Sequence, residues 1–166
     1  MKQMYYRVFA GCLLVGWMIV IFLFSAQPAE ESGAMSGSVA TQIVDGAERV
    51  LGIGLSELDR FQLVEKLTFP IRKGAHMTEY AILALLAMLF WRGWGAEGKR
   101  AYLISFLVAV AYAGTDEIHQ LFVPGREGML IDVCIDATGA LIGLFILWTV
   151  RRIRGKYCEK QTFPLQ

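Results

Sequence analysis

His76, Glu79 and Tyr80 stand at i, i+3 and i+4, the spacing that puts three side chains on one face of a helix. Asp116, His119 and Gln120 repeat that spacing, with Glu117 three residues before Gln120, and Asp132 and Asp136 lie at i, i+4. Arg72 and Lys73 precede the first group, and Arg126 follows Pro124-Gly125 between the second and third. These residue types suit two kinds of work. Arg72, Lys73 and Arg126 can hold a phosphate or carboxylate through charge-assisted hydrogen bonds, in bidentate fashion for arginine. Glu79, Asp116 or His76 can serve as a general base, given a shifted pKa and a substrate atom within hydrogen-bond reach. His76, Glu79, Asp116, Glu117 and Asp132 are also ligand types for a divalent metal. No HExxH or comparable spacing accompanies them, so a metal is not favoured and no cofactor is assigned. Ser25 is the only serine placed for a Ser/His/Asp arrangement, a weaker pattern still. The structural alternative is that these groups pair with one another and fix helix packing. One or two pairs would suffice for that, and the chain carries many more.

The elements that must position these residues are apolar. Of 166 residues 55% are hydrophobic and 19% charged, with a mean hydropathy of +0.47, a balance outside ordinary soluble domains. Four runs of about 20 residues, the length needed to span the hydrocarbon core, cover about 8–24, 75–91, 101–122 and 129–150. The expected fold is an all-α membrane protein, a single domain over residues 1–166, with four transmembrane helices. The first run follows Lys2 and Arg7 as a signal peptide would. It exceeds the usual ~7–15-residue apolar core of such peptides, and Ala26 and Ala29 are wrongly spaced for cleavage, so an uncleaved span is expected. A net charge of +1 favours no nucleic-acid partner. Cys12, Cys134 and Cys158 lack CxxC spacing and read as buried small hydrophobes rather than a disulfide or zinc framework.

Positive charge orients the spans. With both termini cytoplasmic, Lys2, Arg7, Arg92, Lys99, Arg100, Arg151, Arg152, Arg154, Lys156 and Lys160 lie inside, ten of sixteen cations, beside only Glu97 and Glu159. That topology brings Ser25, Gln27 and all three chemical groups to the extracytoplasmic side. Ionisable groups within a span are costly and mark functional sites. The outer N-termini of the second and fourth spans add partial positive charge there. Gly139 and Gly143 continue the Asp132/Asp136 face and permit close helix approach.

The outer segment, residues 25–74, is long for a loop. Val39, Ile43, Val44, Ala47, Val50 and Leu51 recur at helical spacing, and Ser56 with Asp59 reads as a second helix start. Two short amphipathic helices are expected, lying on the outer surface or capping the bundle, after a Ser/Gly/Ala-rich mobile stretch over 28–38.

The motifs Phe24-Ser25-Ala26-Gln27, Arg72-Lys73-x-x-His76-x-x-Glu79-Tyr80, Asp116-Glu117-Ile118-His119-Gln120-x-Phe122-Val123-Pro124-Gly125-Arg126 and Asp132-Val133-x-x-Asp136-x-x-Gly139-Ala140-x-x-Gly143, in that order, resemble the VanZ-like family of small membrane proteins. The resemblance covers nearly the whole chain after the N-terminus. It implies a multi-pass protein of the bacterial cytoplasmic membrane, and a named member is associated with resistance to teicoplanin, a lipid-bearing glycopeptide antibiotic. Three functions follow as expectations. One is a polar pocket at the outer leaflet, built from Arg72, Lys73, His76, Glu79, Tyr80, Asp116, Glu117, His119, Gln120, Arg126, Asp132 and Asp136. It would bind an amphiphilic or anionic ligand: a lipoglycopeptide antibiotic, a membrane lipid or a lipid-linked cell-wall precursor. The second is a membrane-embedded hydrolase or transferase acting on a lipid or lipid phosphate. The third is a structural partner in an envelope complex.

Overall fold

The structure, a computed structural model, describes the backbone of residues 1–161 and side chains as far as Arg154. Cys158 and the tail charges Lys156, Glu159 and Lys160 lie outside the described side chains. Five helices follow in order: α1 Lys2–Ser25, α2 Ala29–Leu51, α3 Glu57–Gly93, α4 Gly98–Gln120 and α5 Leu130–Gln161. No strand occurs among the described residues. By length and composition α1, α3, α4 and Leu130–Arg154 of α5 can each cross a membrane, as the four apolar runs predict.

These helices bury stripes rich in small and branched residues, joined in α3 by Tyr80 and Met88, and leave many large apolar side chains outside. In α1, Ala10, Leu14, Ile21 and Ser25 are buried along one stripe, while Phe9, Val15, Ile19 and Leu23 are exposed. Such an outer surface suits lipid rather than water. Cys12 and Cys134 belong to it: both are exposed on the outside of the bundle, which corrects the expectation of burial. A small apolar side chain on a lipid-facing helix gains nothing from turning inward.

Helix α3 is the central post and touches all four others. Its contact with α5 is backbone to backbone. A Cβ on Gly139 would lie 2.2 Å from the Met77 carbonyl oxygen, and one on Gly143 2.9 Å from that of Ala81. Only glycine allows this approach, and it sets the depth at which Asp132 and Asp136 face α3.

The outer segment differs from the expected two short helices. Residues 28–38 are not a mobile loop, because α2 begins at Ala29. Glu30 and Glu31 occupy its first turn, where they favour the helix dipole. The Ser36 and Thr41 hydroxyls bond back to carbonyls one turn earlier. Gly37 faces Thr68 of α3, whose Oγ1 a Cβ there would meet at an ordinary 3.8 Å. The second amphipathic helix does start at Ser56, whose Oγ accepts the Asp59 N–H at 3.2 Å. It then runs without interruption into the second span. The 37 residues of α3 reach ~55 Å, well beyond a ~30 Å hydrocarbon core. Residues 57–74 and α2 thus form an antiparallel hairpin standing on the end of the bundle, closed by Gly52 at φ +65° and by Arg60 paired with Asp45 and Glu48. At its foot Pro70 sits inside α3 and leaves the Lys66 carbonyl without its helical donor.

Candidate functional site

The polar groups of four helices meet at the end of the bundle that carries the hairpin. Ser25, the last residue of α1, is buried, and its Oγ accepts a hydrogen bond from the Gln120 side chain at 3.1 Å. The same amide donates to Asp116 at 3.1 Å, one turn earlier on α4. Lys73 of α3 reaches Asp132 of α5 at 2.5 Å. His76 Nδ1 lies 3.6 Å from the Glu79 carboxylate, the i, i+3 pair expected from their spacing.

Residues 121–129 join α4 to α5 and shape the rim. The Arg126 N–H donates to the Val123 carbonyl across Pro124 and Gly125, and Gly125 has φ +72°, the pattern of a type II turn. The Pro124 carbonyl accepts the N–H of Ala29, which docks the turn against the start of α2. A Cβ on Gly125 would approach the Ala29 Cβ to 3.2 Å. The turn holds Arg126 half-buried, with its guanidinium 3.4 Å from the Phe24 carbonyl oxygen. Burial draws its pKa below the ordinary arginine value while the nearby Asp116 opposes that shift, and the group stays charged.

Between these elements lies a cavity of about 230 Å³, with Arg72, Lys73, His76, Gln120, Arg126 and Asp132 in its wall. Arg72 Nε is buried without a hydrogen-bond partner. A narrower recess of about 10 Å³ continues inward past Glu117 to Asp136, the size that admits about one water molecule. Glu117 and Asp136 are 7% and 2% exposed, and Glu117 accepts the backbone N–H of Met129 at 2.8 Å.

The other site residues read from the sequence stand apart from the cavity wall. Glu79 and Asp116 lie beneath it, behind His76 and Gln120. Tyr80 is fully buried in the core, with its hydroxyl unpartnered and its ring 6.4 Å from that of Tyr112. His119 turns toward α1, its ring centroid 4.5 Å from that of Phe22. Sequence reasoning missed Ala29, Phe69, Glu127 and Met129, which also line the cavity. Phe69 carried a usable signal: it precedes Lys73 by four residues, and the Lys73 ammonium sits 5.4 Å from its ring centroid. Among the described residues no group of three or more His, Cys, Asp or Glu side chains is arranged to hold a metal ion.

A family model described as VanZ/LLP1 matches residues 10–151 of the chain. No curated protein and no solved structure matches it.

Proposed function

The chain belongs to the VanZ/LLP1 family, and we propose that it is an envelope membrane protein that binds the anionic headgroup of an amphiphile at the outer leaflet. The observation that carries this reading is the company of Arg72, Lys73, His76 and Arg126 around one cavity, with the Arg72 Nε donor unsatisfied. A buried donor without a partner is costly, and a phosphate or carboxylate entering the cavity would supply the acceptor. Lys73 is already neutralised by Asp132, so the two arginines are the cations left to a ligand. Fitting ligands are a membrane lipid, a lipid-linked cell-wall precursor or a lipoglycopeptide such as teicoplanin. Both termini are cytoplasmic in this reading, because the cavity must face the side away from the cation-rich end.

Binding is favoured over catalysis because two of the three candidate bases, Glu79 and Asp116, stand outside the cavity wall and only His76 lines it. The test is saturable binding of decyl phosphate to the protein in phosphatidylcholine nanodiscs. Arg126→Gln should weaken it about ten- to a hundredfold, the weight of one hydrogen bond to a charged group, with the melting temperature nearly unchanged. Arg126→Lys should fall between, keeping charge but losing the fork. Undiminished binding by a well-folded Arg126→Gln protein would remove the assignment. Phosphate release by the wild type, lost in Glu79→Gln while binding persists, would move it to an enzyme with Glu79 as base.

A further inference from the structure

On the lipid-facing seam between α4 and α5, next to the cavity, runs an apolar groove of about 440 Å³. Its volume falls in the ~300–1,000 Å³ range of small-molecule sites. Ala111, Gly114 and Ile118 form its α4 side, and Leu130 and Val133 its α5 side. Two features join it to the polar cavity. Met129 lines both. Glu117 lines the groove and the inner recess, and its carboxylate holds the Met129 N–H at 2.8 Å. The groove also has the right length. From Leu121 to Ala111 the α4 axis rises ~15 Å, half of a ~30 Å hydrocarbon core and hence the depth of one leaflet. A second groove on the same helix pair, about 320 Å³ and lined by Tyr102, Phe106 and Trp148 among others, lies toward the opposite end and has no charged residue in its wall.

We infer that the ligand is a membrane lipid with a phosphate headgroup, whose headgroup sits in the arginine-lined cavity while one hydrocarbon chain crosses Met129 and lies in the α4–α5 groove. The inference rests on the anion-binding reading of the cavity and adds the route and the tail. Inside a bilayer the chain exchanges lipid neighbours for equally apolar side chains, so the groove contributes little affinity. Its effect is positional. It admits the lipid sideways from the leaflet, and Ala111 and Gly114 leave room for an unbranched chain. Methionine at the crossing adapts to the bend because its side chain is unbranched and flexible.

The test uses a ten-carbon alkyl phosphate with a photoreactive diazirine at its tail, in phosphatidylcholine nanodiscs, with adducts mapped by peptide mass spectrometry. Adducts should concentrate in residues 111–121 and 128–133, should be displaced by unlabelled decyl phosphate, and should be sparse at residues 102–106. Gly114→Leu fills the groove, and a Cβ there meets nothing within 4 Å, so the variant should fold. It should cut the groove adducts about tenfold, with the melting temperature unchanged. Adducts spread evenly over the outer faces of α1, α4 and α5, unchanged by Gly114→Leu, would overturn the groove assignment. If Arg126→Gln still abolished binding, the cavity reading would survive that result. Binding indifferent to Arg126→Gln would overturn both. Absence of groove adducts, together with disulfide cross-linking of two copies carrying Ile118→Cys in a background without the native cysteines, would place a second protein in the groove and overturn the lipid.

Discussion

At the hairpin end of the bundle Lys73 meets Asp132, Gln120 bridges Ser25 and Asp116, and Arg126 is held half-buried by a turn. At the other end Arg7 finds the Gly93 carbonyl at 2.8 Å and the Trp94 ring at 4.7 Å, Arg152 lies over Trp148, and Arg92, Lys99, Arg100 and Arg151 are exposed. Among the described residues every salt bridge belongs to the first end or to its hairpin. Cations with hardly an acid beside them are the pattern of an address, since positive charge resists translocation. Cations and acids gathered around a cavity are the pattern of a site, because each buried charge restrains its partner. Similar residue types do different work according to what stands beside them.

The largest effect that could break this contrast concerns glycine. Gly139→Leu should cost about 3 kcal/mol or more, because the clash is with α3 backbone that cannot turn away. Gly93→Ala, at the basic end, meets only side chains, the Tyr6 ring at 2.9 Å and the Arg7 Cγ at 3.6 Å, and should cost about 1 kcal/mol or less. Thermal unfolding in detergent compares them, and equal losses would mean that the two ends are packed alike. Charge comes next. Lys73→Met leaves Asp132 half-buried and unpaired, for a loss of about 1–3 kcal/mol, less than for a fully buried pair. Adding Asp132→Leu should restore much of it, whereas Arg152→Ala should stay within about 0.5 kcal/mol. A full, uncorrected loss in the double variant would show that the pair is no unit. The sharpest test of orientation is a cysteine at position 45, which gives up the part-exposed Asp45–Arg60 pair, in a background with Cys12, Cys134 and Cys158 replaced by serine. An impermeant thiol reagent should label it from outside the cell. Labelling only after access to the cytoplasm would reverse the topology and put the cavity on the wrong side.

The four spans were legible because a membrane helix announces itself by length and apolar composition, and the polar layer because i, i+3 and i+4 spacings survive translation into structure. Continuity was not legible at 57–93, where the apolar run begins only at about residue 75 although the helix starts at Glu57 and passes through Pro70. Residues 28–38 carry the composition of a loop, yet from Ala29 onward they are the first turns of α2. In the site, charged residues could be found by type. Met129 could not, since an apolar side chain bears no chemical label and becomes part of a cavity only through the fold, whereas Phe69 could be found only through its spacing from Lys73. His119 shows the converse. Its spacing matches that of His76, yet its ring is committed to Phe22.

Pro70 has a mechanical consequence. Above it α3 extends a further ~20 Å as an arm stiffened by α2. Below it the helix is clamped by α5 at Gly139. The missing hydrogen bond softens the post at this level, and Phe69, the residue just before it, is part of the cavity wall. A sideways force on the hairpin tip therefore becomes torque at the rim of the cavity. The hairpin is a lever with its fulcrum beside the arginines.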